Sequence, residues 1–219
     1  MKNMIDWSRT QILRLCAITF AGIIVFSLVG CGDGFWIEGN SYFEFDGASG
    51  TITGYDDDGP KNVMLPSTLE GIRVTAIGKN AFRGKQLTGV SIPTGITTIG
   101  EGAFAENKLT SVTLIEGVIT IGVSAFADNR LETVIIPNSV ISIGKEAFAV
   151  NQLSGIDIPD SVISIGEDAF SGNQLTRVTI GPNKSYASNI VPNFGIAYNG
   201  DGKQAGTYTR IDSTTWTKQ

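Results

Sequence analysis

Apolar and polar positions alternate along much of this chain in a pattern that returns every 22 residues. In Ser111-Val112-Thr113-Leu114 the apolar side chains fall at every second position, as in a strand with one buried face. The surrounding segment "IGEGAFAENKLTSVTL" starts at Ile99. It recurs as "IGVSAFADNRLETVII" from Ile121, "IGKEAFAVNQLSGIDI" from Ile143 and "IGEDAFSGNQLTRVTI" from Ile165. An earlier copy, "IGKNAFRGKQLTGVSI", starts at Ile77, and Phe82, Phe104, Phe126, Phe148 and Phe170 mark the period without slip. Five copies thus occupy residues 74–181. A period of this length makes each copy one coil of a solenoid that buries its core only by stacking on its neighbours.

The pattern assigns each position a task. Leu109, Val112, Leu114 and their copies point inward along a main strand. Pro93, Pro137 and Pro159 end that strand because proline offers no donor to a ladder. A second short extended piece ends at Ile99-Gly100, where glycine lets the chain turn sharply. "EGAFAEN" then predicts a single helical turn, with Phe104 filling the coil. Asn107, Asn129, Asn151 and Asn173 precede the main strand and are placed to bond the turn of a neighbouring coil. The first copy carries Lys85 there, which fits an end coil with no such neighbour. The column Thr75, Thr97, Ile119, Ile141, Ile163 is ambiguous: its periodicity reads as interior, its threonines as boundary.

These motifs resemble the BspA-like leucine-rich-repeat surface proteins of bacteria. "FEFDGASGTITGYDDDGPKNVMLPSTLEGIRVTAIG" is similar to their β-rich entry segment, with Val63-Met64-Leu65-Pro66 a degenerate first strand, and "YNGDGKQAGTYTR" to their closing segment. The resemblance implies a right-handed β-rich leucine-rich-repeat solenoid with a concave sheet, often used in adhesion to host proteins or other bacteria. A solenoid needs terminal units unlike its internal ones. Residues 35–73 are accordingly expected to form a β-rich N-terminal cap around strands 41–45 and 51–55. Residues 182–219 are expected to form a closing β-hairpin from "FGIAY" and "TYTRI".

The N-terminal segment adds an address. From Leu15 to Gly30 runs a stretch of 16 uncharged residues behind Lys2, Arg9 and Arg14. That is short of the roughly 20 a membrane span needs, and suits the apolar region of a secretory signal. Leu28-Val29-Gly30-Cys31 resembles a bacterial lipobox. Residues 1–30 then read as a removed signal, Cys31 as the lipid attachment site, and 31–34 as a tether to one folded unit. The competing reading is a membrane anchor with an incidental cysteine. A diacylglyceryl cysteine supplies the two chains that stable anchoring requires. The expectation is export and anchoring to a bacterial membrane, the outer membrane or cell surface.

Composition narrows the chemistry. There are 2 cysteines and no histidine, so cleavage before Cys31 leaves no internal disulfide, and Ser-His-Asp, Cys-His and most zinc hydrolase sites are excluded. Loss of residues 1–30 takes the net charge from −5 to about −7, which disfavours nucleic acid. Asp56-Asp57-Asp58 reads as a solvated turn rather than a calcium site, because further ligands at suitable spacing are missing. No catalytic residue, metal or cofactor is assigned. A carboxylate-based carbohydrate-active enzyme remains a remote alternative, and a structural or envelope-assembly lipoprotein a nearer one.

The outward columns of the main strands are mostly small or hydroxylated. The first holds Gly89, Ser111, Thr133, Gly155 and Arg177, and the second Ser91, Thr113, Ile135, Asp157 and Thr179. Good surface strand residues explain most of them. Glu132, Ile135, Asp157 and Arg177 stand out as candidate contacts for a protein ligand, a host extracellular or bacterial surface protein, met by a monomer. These columns lack aromatics, so any glycan site belongs with the aromatic residues of the caps or tether, among them Trp36, Tyr42, Tyr55, Tyr186, Tyr198, Tyr208 and Trp216.

Overall fold

A computed structural model of the chain describes residues 18–20, 23–25, 42–182, 190–191, 194–211 and 215–219. Two compact units are distinguished, Met1–Phe35 and Trp36–Gln219. In the first, Ile18–Phe20 pairs antiparallel with Ile23–Val25. Cys31 and the tether lie outside the described residues.

The second unit is a stack of coils. The short extended pieces Ala76–Ile77, Thr98–Ile99, Thr120–Ile121, Ser142–Ile143 and Ser164–Ile165 pair in parallel, one coil on the next. Two antiparallel strands, Phe43–Asp46 and Thr51–Tyr55, extend this sheet to seven at its N-terminal end. The main strands form the other face: Asn62–Met64, Gly89–Ser91, Ser111–Thr113, Thr133–Ile135, Gly155–Asp157 and Arg177–Ile180. Six main strands stand where the sequence repeats count five full coils, because the degenerate Asn62–Met64 pairs in register with Gly89–Ser91.

The C-terminal end departs from expectation. "FGIAY" was to be one strand of a closing hairpin, yet it forms the helix Phe194–Gly200. Phe194 and Tyr198, four residues apart, thereby share the helix face turned into the core. The closing strands are Gly206–Arg210, antiparallel to Arg177–Ile180, and Trp216–Lys218 beyond it. Phe194 meets Tyr208 and Trp216 edge-on at 5.4 Å, so the last coil ends on a packed aromatic cluster.

Inside the coils the five phenylalanines are fully buried and stack at ring separations of 5.0–5.3 Å. Tyr55 continues the stack at 5.1 Å from Phe82. Beside this spine runs the asparagine ladder. Asn151 Oδ1 accepts the Leu131 N–H at 3.0 Å, and its Nδ2 donates to the carbonyls of Phe126, Phe148 and Ala149. Asn107, Asn129 and Asn173 repeat these contacts. Lys85, in the corresponding position of the first coil, is not idle: its ammonium pairs with Asp57 of the cap at 2.6 Å.

Two backbone details revise the sequence reading. The glycines at 100, 122, 144 and 166 do not need left-handed dihedrals, and their role is close approach. A Cβ on Gly144 would lie 2.5 Å from the carbonyl carbon of Gly122 and the nitrogen of Val123. The "EGAFAEN" segments are also not helical. They are turns whose alternate N–H groups donate to the next coil, as Phe104 does to Ala125 and Glu106 to Ala127, both within 2.9 Å. Such a turn requires positive φ at two places per coil, and glycine or small polar residues fill most of them. Val150, exposed and β-branched at φ 55°, is the costly exception. Val150→Gly is expected to stabilise the protein by about 0.5–1 kcal/mol, the relief of left-handed strain less the added unfolded-state entropy. An increased urea midpoint at unchanged slope is the result to look for.

Candidate protein-binding face

The main-strand face is built by alternation. Val112, Val134, Ile156 and Val178 are buried, so their neighbours in each strand turn outward. Ile135, Asp157 and Arg177 are accordingly exposed, and Glu132, just ahead of its strand, is exposed as well. Ile135 is the extreme case at 80% exposure, the one aliphatic side chain in outward columns of hydroxyls, glycine and the Asp157–Arg177 pair.

Asp157 and Arg177 come together as an ion pair. Arg177 Nη1 donates to Asp157 Oδ1 and, at 3.0 Å, to Thr179 Oγ1, while Nη2 stands 3.4 Å from Asp157 Oδ2. A Cβ on Gly155 would approach Nη2 to 3.2 Å, so glycine here leaves room for the guanidinium to lie flat on the sheet. The bond from Arg177 holds the Asp157 carboxyl below its ordinary range. The pair therefore stands at neutral pH and is lost only as pH falls through that lowered value. Arg177 is thus not a free fork awaiting a partner's carboxylate: Asp157 already occupies it.

The face is not continuous, which the repeats did not suggest. The six main strands divide between two four-stranded sheets: four end at Thr133–Ile135, and Gly155–Asp157 and Arg177–Ile180 form the other with the two closing strands. Among the described residues no ladder joins Thr133–Ile135 to Gly155–Asp157, although the sheet of short strands runs unbroken past them. Proline does not explain the break, because Pro66 and Pro93 end strands that do pair. Ile135 and Asp157 both border the break, and Arg177 on the following strand pairs with Asp157. At the break lies a cavity of about 260 Å³, lined by Val134, Ile135, Ile136, Asn138, Asp157, Ile158 and Pro159. The sequence singled out two of these, Ile135 and Asp157. The others sit on inward or turn positions, where the repeat promised only packing.

Other sequence candidates resolve into structural roles. Asp56 Oδ1 accepts the Asp58 N–H, and Asp57 pairs with Lys85, so this acidic turn fastens the cap to the first coil. On the outer turn Glu101 pairs with Lys79, and Lys145 with Glu146 and Glu167. Ile119, Ile141 and Ile163 settle the ambiguous column: all three are exposed, Ile163 at 71%. Of the cap aromatics proposed as glycan platforms, Tyr55, Tyr198, Tyr208 and Trp216 are buried and Tyr42 is half-buried. Trp36 and Tyr186 lie outside the described residues. Among the described residues no helix is long and apolar enough to cross a membrane.

Comparison with known proteins agrees with this architecture. A model of the BspA type leucine-rich repeat region matches residues 75–191 in six copies. The chain belongs to this family. Families of this fold commonly serve as protein-interaction modules and typically carry no catalysis. A leucine-rich repeat protein of T. pallidum is 29% identical, with a TM-score of 0.58 over 64% of this chain and 69% of that one. One from Bacteroides ovatus is 28% identical, with a TM-score of 0.52 over 63% of this chain and 39% of that one. None of the curated proteins compared matches the sequence.

Proposed function

We infer that this BspA-type repeat protein is an exported, lipid-anchored binding module of the bacterial envelope that recognises a protein through its main-strand face. The observation that carries this reading is Ile135. An aliphatic side chain at 80% exposure, on a flat face of hydroxyls, beside a cavity and an ion pair, has the make-up of an interface centre. Six stacked strands at about 4.8 Å spacing make a face about 29 Å long, enough for one side of a standard interface of about 800 Å² when most of the face and its edges take part. The lipobox-like run ending at Cys31 supports the anchor, and with it a position at the cell surface where an adhesive face can meet host or bacterial proteins.

Two results test the reading. Metabolic lipid labelling is expected to mark the protein and to be lost in Cys31→Ala, which accumulates as unprocessed precursor. Unchanged processing and labelling of that variant would refute the anchor. In binding measurements against host extracellular and bacterial surface proteins, Ile135→Ser is expected to weaken capture at least tenfold, with stability changed by no more than about 0.5 kcal/mol. Lys145→Ala, on the outer turn, is expected to leave capture unchanged. The opposite pattern would move the binding face to the outer turn.

A further inference from the structure

We propose that the cavity where the main-strand sheet breaks takes one long basic side chain, arginine or lysine, from the bound protein. This deepens the protein-binding reading and rests on it. At about 260 Å³ the cavity falls below the roughly 300–1,000 Å³ of sites for drug-sized ligands. A single side chain fits that scale. Its floor and walls, Val134, Ile136, Ile158 and Pro159, are apolar and buried or half-buried. The remaining lining residues, Ile135, Asn138 and Asp157, are exposed, one aliphatic and two polar.

Charge decides among the side chains of suitable size. No lysine or arginine lines the cavity. Arg177 contacts both oxygens of Asp157 but is not itself among the lining residues, so the one charged residue lining the cavity is acidic. Glu116 adds a second negative group next to Asn138, its oxygens 3.1 Å from the N–H groups of Asn138 and Ser139. An acidic side chain would meet repulsion here. A wholly aliphatic one would fill the walls but strip water from Asp157 and Asn138 without replacing its hydrogen bonds. A long basic side chain satisfies both halves: its methylenes lie against Ile135, Ile158 and Pro159, and its charged head reaches Asp157 and the Asn138 carbonyl.

The test uses the full chain, isotope-labelled, with blocked tripeptides Ac-Gly-Xaa-Gly-NH2 in which Xaa is Arg, Lys, Leu or Glu. The Arg and Lys peptides are expected to shift the amide resonances of Ile135, Asn138 and Ile158 with Kd of about 1–10 mM, the range for one side-chain contact. The Leu and Glu peptides are expected to leave them in place. Asp157→Asn should weaken the Arg peptide at least tenfold. Because that change also frees Arg177, Arg177→Ala is the companion variant: it removes the ion pair but keeps the carboxylate, so the Arg peptide should bind as well or more tightly. Three outcomes overturn the proposal. One is equal shifts from the Leu peptide. Another is shifts spread over the acidic outer turn at Glu101, Glu106 and Glu167. The third is no shift at roughly 10 mM peptide. Loss of whole-partner capture in Ile135→Ser alongside any of these would leave the binding face standing and remove only the basic-anchor assignment.

Discussion

Phe126→Ala is expected to cost about 3–5 kcal/mol, toward the upper end of that range. The ring is fully buried between Phe104 and Phe148, each 5.3 Å away. Its removal leaves a void that the neighbours cannot close, since each coil is fixed at its spacing by backbone bonds. Phe126 itself donates to Ala147 at 2.8 Å, and Ala125 accepts from Phe104. Phe82→Ala is expected to cost less, because Phe82 borders Tyr55 and the half-buried Phe43 of the cap, which can shift into the space. Stacked repeats are held by nearest-neighbour interfaces, so damage in the middle also loosens the coupling of the two ends. Urea unfolding of Phe126→Ala should therefore show a lower midpoint together with a reduced slope or a second step. A loss under about 1 kcal/mol with unchanged slope would contradict the coil register.

The repeat made the fold legible because stacking turns position in sequence into position in space. Once Phe82 to Phe170 fix the period, the inward residues, the asparagine ladder and the outward columns follow by alternation, and Ile135, Asp157 and Arg177 surface on the main-strand face. What the repeat could not supply is whatever depends on differences between coils. The break is one such difference, at the junction bordered by Ile135 and Asp157. Averaging over copies hides it. The helix at Phe194–Gly200 escaped for another reason. Its apolar residues are spaced for either a short strand or two helical turns, and the aromatic cluster it joins lies on other segments. The glycine column was read correctly as necessary but for the wrong cause. Sequence shows that a side chain is missing, not whether dihedral freedom or a neighbouring backbone forbids it.

Asn151→Ala is expected to be the most damaging of the asparagine substitutions, at about 2–3 kcal/mol. Alanine would leave the buried Leu131 N–H without its acceptor, whereas the carbonyls of Phe126, Phe148 and Ala149 lose one donor but keep another, from Asn129 Nδ2, Asn173 Nδ2 and the Asp128 N–H. A stranded buried donor alone costs about 1–3 kcal/mol. Asn129 makes the same set of bonds, yet the strands it accompanies, Ser111–Thr113 and Thr133–Ile135, are also laddered to each other. Asn151 links the two coils whose main strands are not. There the Asn151 bonds, the Gln152 N–H to Leu131 carbonyl bond, the outer-turn bonds such as Phe126 N–H to Ala147, the phenylalanine contact and the sheet of short strands hold the coils together without a main-strand ladder. Asn151→Ala should therefore exceed Asn129→Ala by about 1 kcal/mol, roughly the net worth of one hydrogen bond. Asn151→Asp gives an independent check through pH. The ionised carboxylate keeps the Leu131 contact but faces three carbonyls, so its folded-state pKa is raised. The penalty is then largest at neutral pH and shrinks as pH falls through that raised value and the group becomes a donor. Equal costs for Asn151→Ala and Asn129→Ala, with no pH dependence in Asn151→Asp, would mean that the coils on either side of the break are joined as firmly as the rest.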